Sequence, residues 1–399
     1  DTECNSLTFD QQNLSSDDRN LNIRMSSDAL FRVLELQLEI ISRDCQLIII
    51  PDQVFEGMGM QFMLTDIKFA EADFSNMRGV NLGTHIEFFI TNAHAHVIFQ
   101  YKFSQQTYPY LTGSGSGNAD LWIDAQLHTG IKLSESCPYH YAFKDFTAQM
   151  QVNQFQLQLL DAPPILQALI NLVTTIFKNV FNDLVFYWLN QLEIIINDGL
   201  QSDAVVVFTN PIYSTDTRNI DYKLKDDVFF SLSGEICNFI NTNKSCTGWQ
   251  NERIQIQPQP NKLFNKKVQF YMSINAIQSL FDHIKRVNAT EDELRVVKVV
   301  NTGILINVRN SEFSASILCT IKANIGSYDG DNFSQPTVVM KQVLQSTKEF
   351  DVEEYMQKMN ALFRLAAHSV YTFGFVDDKT QIVSYESPSW IILGMDIEK

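Results

Sequence analysis

Residues 25–34 read Met-Ser-Ser-Asp-Ala-Leu-Phe-Arg-Val-Leu, and residues 272–281 read Met-Ser-Ile-Asn-Ala-Ile-Gln-Ser-Leu-Phe. In both stretches a serine is followed two positions later by Asp or Asn, and these residues favour the start of a helix. A run that alternates between apolar and polar residues precedes each serine, and this period of two predicts a half-buried strand. The alternating apolar residues are Leu21, Ile23 and Met25 in the first copy and Val268, Phe270 and Met272 in the second.

The repeated strand–helix unit indicates how the whole chain is organised. Apolar residues at helical spacing follow each start, namely Leu30, Val33, Leu34 and Ile41, and then Ile277, Leu280, Phe281 and Ile284. Two copies of one domain are the favoured interpretation, and chance similarity between two common units is the alternative. The length of 399 residues also favours two domains of ordinary size.

Composition and charge exclude several classes of protein. Hydrophobic residues make up 45% of the chain and Phe occurs 29 times, which excludes a disordered chain. So many Phe residues indicate either bulky cores or a cavity lined by apolar side chains. The net charge of −16 disfavours nucleic acid as a partner, and it disfavours tight adsorption to an anionic membrane.

The cysteines and glycosylation motifs favour the secretory pathway, so we expect a secreted or lumenal protein. Six cysteines are present, and the chain begins at Asp1 rather than Met, as expected after removal of a signal peptide. Cys237 and Cys246 are predicted to form a local disulfide, whereas the pairing of Cys4, Cys45, Cys137 and Cys319 stays open. The predicted glycosylation sites are Asn13, Asn243, Asn288 and Asn332.

A second strong signal covers residues 164–197. Proline at the start and Gly199 just beyond the end match the residue preferences of helix termini. Over this length a helix spans roughly 50 Å. Its apolar residues recur at positions 165, 169, 172, 176, 180, 184, 188, 192 and 195, which predicts one continuous apolar face. A transmembrane span is the alternative, but Lys178, Asn179, Asn182 and Asp183 would be costly in lipid.

Residues 47–160 read as strands. In the run from Asn92 to Phe103, every second residue from Ala93 onward is apolar and faces one side of the predicted strand. The stretch Gly113-Ser-Gly-Ser-Gly117 then leads into another alternating run, as expected where a sheet must bend. The second half of the chain follows the same order more compactly. It contains a helix near 274–286, strands over 292–309 and 312–325, a helix near 351–370 and terminal strands.

Signatures of catalysis and metal binding are weak. The serines of the glycine-rich stretch do not match the G-x-S-x-G arrangement of a nucleophile elbow, and no phosphate-loop lysine is present. His94 and His96 share one strand face, but a metal would need a third ligand and supporting contacts, so a polar outer face is favoured. We therefore expect neither an enzyme nor a metal site.

Four stretches resemble the tubular lipid-binding (TULIP) family of bactericidal/permeability-increasing protein, lipopolysaccharide-binding protein, phospholipid transfer protein and cholesteryl ester transfer protein. They are Ile23–Leu30 with the helix that follows, the glycine-rich strand at 113–127, the segments 219–224 and 229–235, and Trp390–Ile397. The resemblance covers nearly the whole chain as a pattern rather than as identity. The family's usual disulfide to the long helix is missing, because residues 164–199 contain no cysteine. Cys137 must then pair elsewhere, with Cys4 or Cys45 as candidates, or stay free.

The resemblance implies an α+β fold of two tandem elongated antiparallel barrels. Each barrel has a strand–helix start and a long helix, and a central sheet joins the two into a boomerang. The implied domains are residues 1–203, a connector with the central sheet at 204–230, and residues 231–399. Each barrel would hold a phospholipid or another two-tailed lipid, with no other cofactor. The pocket residues expected on the helices are Leu30, Leu34, Leu38, Leu169, Leu172, Ile176, Val180 and Leu184 in the first half, and Ile277, Leu280, Phe281, Met356, Met359 and Phe363 in the second.

Three classes of function are compatible with these observations. The favoured class is a secreted lipid-binding or lipid-transfer protein that contacts membranes transiently. A lipid-filled structural component of a larger protein assembly is the alternative. A defence protein that binds bacterial lipids is disfavoured, because an anionic headgroup calls for basic residues and this chain is strongly acidic.

Overall fold

The computed structural model describes most of the chain. The described residues are 4, 7–9, 13–44, 50–57, 59–74, 76–160, 162, 164, 167, 170–202, 205–208, 214–240, 245–247, 253–261, 263–287, 290–328, 331–367 and 381–396. Helices α1 to α4 span Ser27–Asp44, Ile170–Ser202, Ile274–Arg286 and Val352–Ala367, and a short 3-10 helix spans Ser16–Asp18.

The structure has long antiparallel strands, as the alternating runs predicted. Strands β1 to β21 span, in order, Thr8–Phe9, Leu21–Ser26, Gln53–Gly57, Met60–Asp73, Met77–Asn81, Ile86–Gln105, Thr112–Leu133, Tyr141–Leu159, Val206–Phe208, Ser214–Asp216, Asn219–Leu224, Asp227–Leu232, Ile236–Ile240, Ser245–Thr247, Val268–Ser273, Glu293–Val300, Gly303–Arg309, Ser314–Tyr328, Asp331–Ser346, Gln381–Ser387 and Trp390–Met395.

The chain divides into two units that interleave along the sequence. Unit 1 comprises Asp1–Ala29, Ile131–Ala142 and Asp198–Lys399, and unit 2 comprises Leu30–Gly130 and Phe143–Asn197. The domain boundaries predicted at residues 203 and 231 stay a prediction.

The two copies of the repeat are neighbours in the six-stranded central sheet of unit 1. Its strand order is β11-β12-β2-β15-β21-β20, and β2 pairs with β15 antiparallel, so that Met25 lies opposite Val268 and Leu21 opposite Met272. A hairpin flanks each copy, β11–β12 beside β2 and β20–β21 beside β15. Each copy thus consists of a strand, a helix, a sheet, a second helix and a hairpin that returns to the first strand, which supports the predicted duplication.

Unit 1 contains a second sheet of order β16-β17-β18-β19, on which α3 and α4 pack. Residues 292–309 are not one strand as predicted, because a turn separates β16 from β17. Gly303 has φ +153°, a conformation that side chains rarely adopt, and a Cβ there would lie 1.9 Å from the carbonyl oxygen of Cys319. The core between sheet and helices includes Ile277, Phe281 and Met359.

Unit 1 also contains a small five-stranded sheet of order β1-β14-β13-β10-β9, and disulfides lie in and next to it. The predicted disulfide between Cys237 and Cys246 is confirmed, and it joins β13 to β14. Cys137 pairs with Cys4, one of the two partners considered. Cys319, whose pairing the sequence leaves open, is a buried free thiol, and Cys45 lies outside the described residues.

Unit 2 contains nearly all of the sheet β3-β4-β6-β7-β8, with β5 paired to β6, together with most of α1 and most of α2. The alternating residues from Ala93 to Phe103 are all buried on one face, as predicted. The sequence predicts that the long helix ends at residue 197, but α2 continues through Gly199 to Ser202, whose hydroxyl donates to the Gly199 carbonyl at 3.0 Å. A glycine is tolerated inside a helix at a cost of about 1 kcal/mol. Within the described part of the chain, no helix has the length and apolar character needed to cross a membrane.

Candidate functional site

Helix α2 presents three kinds of surface in its first half. Asn171, Thr175, Asn179 and Asp183, spaced four residues apart, are exposed. On the opposite side, Val173, Phe177 and Phe181 are buried, with exposed fractions of 3% or less. Ile176 and Val180 are half-buried on one flank, whereas the polar Thr174, Lys178 and Asn182 are half-buried on the other. The face against the sheet is thus centred one residue further along the chain than the predicted stripe.

Aromatic contacts explain this orientation of α2. The Phe177 ring lies 5.2 Å from Phe55, 5.8 Å from Phe62 and 5.9 Å from Phe99, measured between ring centroids. Phe181 lies 6.3 Å from Phe99 and 5.6 Å from Phe155. Rings this large bury more apolar area than Ile or Val, so they decide which face of the helix meets the sheet. We call Phe55, Phe62, Phe99, Phe103, Phe177 and Phe181 the aromatic cluster.

Helix α1 packs on the other end of the same sheet through Phe31. Its ring lies 6.0 Å from the Phe88 ring of β6 and rests on Gly79 of β5, where a Cβ would lie 2.0 Å from the ring. Leu34 and Leu38, three and seven positions on, share this face of the helix. Both are half-buried, as is the predicted pocket residue Leu30.

The inner wall of unit 2 changes character along β6 and β7. Near α1, the pairs Phe88–Leu127 and Ile90–Ala125 lie opposite each other, and all four residues are half-buried. The next inner residues along β7 are Ile123, Leu121 and Ala119, whose exposed fractions fall to 8%, 2% and 0%. The apolar wall near α1 therefore keeps accessible area, whereas the inner residues of β6 and β7 next beyond it are buried.

The predicted pocket residues of the second half have a different environment. Ile277, Phe281 and Met359 have exposed fractions of 2%, 1% and 0%. Leu280 and Met356 are partly buried against the same core. The protein's own side chains thus enclose these residues in the structure.

Some predicted residues lie beyond what the structure describes. Leu169 is outside the described residues, and the side chains of Leu172, Leu184 and Phe363 are not described. The assignment of the predicted residues to lipid pockets stays a prediction. The sequence-based reasoning missed Val173, Phe177 and Phe181. The sequence does contain a signal for them, since these three residues form an apolar row with a spacing of four beside the predicted stripe.

Histidines and carboxylates pair on the outer face of the unit 2 sheet. His94 and His96 each place a ring nitrogen 2.9 Å from one oxygen of Asp120. Burial acts to raise the pKa of Asp120, but hydrogen bonds with His96 and His94 outweigh it and hold the pKa below its ordinary value. Among the described residues, no three potential ligands are arranged to hold a metal ion. The predicted polar outer face is confirmed by these contacts.

The turn between β6 and β7 carries two exposed aromatic side chains. Tyr108 is 85% exposed and Tyr110 is 66% exposed, and Pro109 lies between them. Their rings contact each other edge to face at 6.3 Å. Aromatic side chains with a polar group are typical of the interface between membrane and water. We call these three residues the tyrosine tip.

Comparison with solved structures identifies the fold. The crystal structure of lipopolysaccharide binding protein is similar to this chain, with 12% sequence identity and a TM-score of 0.50. The alignment covers 95% of this chain and 99% of the chain of lipopolysaccharide binding protein. Takeout 1 of Epiphyas postvittana matches 45% of this chain and 93% of its own, with 17% identity and a TM-score of 0.32. The latter score is too low to support an argument. No protein-family model and no curated protein matches the chain.

The match with lipopolysaccharide binding protein extends over both chains, and it agrees with the repeated strand, helix and hairpin of the central sheet. An identity of 12% is informative about fold alone. The chain therefore has the fold of lipopolysaccharide binding protein, the TULIP-like α+β fold that the resemblance of its four stretches implied.

Proposed function

We propose that this protein is a secreted, non-enzymatic lipid-binding and lipid-transfer protein. It would hold phospholipid-like or other two-tailed lipids in apolar pockets, one in each half of the chain. The observation that carries the proposal is the half-buried apolar wall of unit 2, formed by Phe88, Ile90, Ala125 and Leu127 and continued by α1. The fold, shared with a protein whose name gives a lipid ligand, supports it.

Burial of the hydrocarbon chains of the lipid would drive binding. Each methylene group moved from water into an apolar site contributes about 0.8 kcal/mol. A half-buried apolar wall can still bury the methylene groups of a ligand and gain this free energy. A packed core has no accessible apolar area left for a ligand to cover. This difference favours unit 2 as the first pocket to be occupied, and the enclosed residues Ile277, Phe281 and Met359 would have to move before lipid could enter the second.

The tyrosine tip would anchor the protein on a membrane, whereas lipid would enter unit 2 near α1, because the aromatic cluster fills the interior on the side of the tip. The exposed rings of the tip can enter the interface region of a bilayer without carrying charge into lipid. The net charge of −16 would weaken contact with anionic vesicles, and added salt would strengthen it by screening the repulsion. Two disulfides favour an oxidising compartment, which supports secretion and glycosylation at the predicted asparagines.

The test is transfer of a fluorescent phospholipid between donor and acceptor vesicles. We expect transfer without hydrolysis, faster in high salt when the vesicles are anionic. The double variant Tyr108→Ser/Tyr110→Ser should slow transfer but leave the amount of bound lipid unchanged. A hydrolysed product would overturn the non-enzymatic assignment. Bound lipid that never exchanges would instead favour a structural component of a larger assembly.

A further inference from the structure

We propose that Ile123 forms the floor of the unit 2 pocket and thereby sets the longest acyl chain that the protein accepts. This inference rests on the proposed function and makes it more specific. It concerns selection by chain length, which the fold alone does not determine.

The position of the floor follows from the inner faces of β6 and β7. Ile123 comes directly after the half-buried Ala125 on the inner face, and its exposed fraction is 8%. It keeps more accessible area than Leu121, the next inner residue, which is 2% exposed. Opposite Ile123 on β6 lies Ala93, at 3%. Both strands thus pass from half-buried to packed at the same level.

Beyond this level the inner side chains of β6, from Ala93 to Phe103, are all buried. The aromatic cluster packs against them, and Phe62 and Phe177 have no accessible area. Three glycines of β7 make room for the rings. Phe99, Tyr101 and Phe103 lie opposite Gly117, Gly115 and Gly113, where a Cβ would come within 2.7 Å, 2.7 Å and 2.5 Å of the respective side chain. An acyl chain that follows β6 and β7 cannot extend toward the tyrosine tip without displacing these rings.

The consequence is a ceiling on chain length. Each additional methylene should strengthen binding about fourfold until the chain reaches Ile123, and further methylenes should add nothing. Replacing Ile123 by Ala removes three carbon atoms at the floor, so the ceiling should rise by about two or three methylenes. Replacing Ala125 by Leu fills the wall above the floor and should lower the ceiling.

The experiment offers the purified protein vesicles that contain an equimolar series of phosphatidylcholines with matched acyl chains of increasing length. Lipids are then extracted from the re-isolated protein and their chain lengths are measured by mass spectrometry. We expect Ile123→Ala to shift the longest retained chain upward and Ala125→Leu to shift it downward. Leu121→Ala is the matched control, because its cavity lies behind Ile123 and should leave the distribution unchanged.

The outcomes separate this inference from the proposed function. If the unmodified protein retains no phosphatidylcholine of any length, the proposed function fails. If it retains lipid but neither Ile123→Ala nor Ala125→Leu moves the distribution, the floor is elsewhere and only the inference fails. An equal shift in Leu121→Ala and Ile123→Ala would indicate general loosening of the core and would also overturn it. Ala125→Leu keeps the test decisive if Ile123→Ala does not fold.

Discussion

Single glycines decide where the aromatic rings of unit 2 can lie. At Gly115 a Cβ would lie 2.7 Å from the Tyr101 hydroxyl and 2.9 Å from the Leu160 carbonyl oxygen. The second contact is with backbone, which cannot move aside easily. The sequence predicts that the sheet bends at the glycine-rich stretch 113–117. The structure adds that its glycines make space for the rings of the opposite strand, in agreement with the pairing of aromatic residues and glycine across strands.

We predict that Gly115→Ala destabilises the protein by about 1–3 kcal/mol, the range for overpacking. Gly199→Ala is the control, since no atom lies within 4 Å of its added Cβ and the residue is inside a helix. It should stabilise the protein by about 0.5–1 kcal/mol. Urea unfolding of both variants measures the difference. Equal effects of the same sign would contradict the glycine–ring contact.

A buried acid in unit 1 links stability to pH. Glu235 accepts a hydrogen bond from Asn20 at 2.6 Å and lies 3.0 Å from Arg253. Burial raises the pKa of Glu235 to about 8, although Arg253 acts to lower it. The pKa in the folded protein thus lies above the ordinary value of 4.5. The stabilising contribution of the protonated group is therefore complete below about pH 4.5 and is lost as pH rises toward 8.

We predict that Glu235→Gln makes the free energy of unfolding less dependent on pH between about 5 and 8. Glutamine keeps the acceptor for Asn20 but has no proton to lose. The unmodified protein should lose stability over this range by up to about 1.4 kcal/mol per pH unit from this group. Denaturant melts at several pH values measure the slopes. Identical slopes for the two proteins would show that Glu235 does not titrate in this range.

The orientation of helix α2 can be tested with three carboxylates placed on its three surfaces. Phe177→Asp puts an unpaired charge into the aromatic cluster and should cost more than about 4 kcal/mol, or prevent folding. Ile176→Asp, on the half-buried flank, should cost about 1–3 kcal/mol. Asn179→Asp, on the exposed face, should stay within about 0.5 kcal/mol. If Ile176→Asp were the most damaging, the originally predicted face would be the correct one.

The sequence predicts an element correctly where a single pattern fits it, and fails where two patterns fit equally well. The strand–helix starts were predictable because caps and alternation coincide at Ser26 and Ser273. The face of α2 was not, because two neighbouring apolar rows fit the same period, and only contact with Phe55, Phe62 and Phe99 selects between them. Likewise the open wall of unit 2 depends on how completely α1 covers the sheet, which periodicity does not report.

For the molecule as a whole, the two disulfides should contribute unequally. Cys4 and Cys137 are separated by 133 residues, and Cys237 and Cys246 by 9. If loop entropy in the unfolded chain dominates, the first contributes about 5 kcal/mol and the second about 2.6 kcal/mol.

We therefore expect Cys4→Ser/Cys137→Ser to destabilise the protein more than Cys237→Ser/Cys246→Ser. Denaturant unfolding under oxidising conditions measures both. Cys319→Ser is the control, because this thiol is free, and it should not change the number of disulfides found by mass spectrometry. The opposite order of the two double variants would show that native-state strain or packing, rather than loop closure, sets their contribution.

The central claim is that the fold holds lipid. Organic extraction of the protein purified from an oxidising expression host, followed by lipid mass spectrometry against a buffer blank, tests it most directly. We predict two-tailed, phospholipid-like species that remain bound through purification and are released by solvent. An extract with no lipid above the blank, even after incubation of the folded protein with phospholipid vesicles, would contradict it.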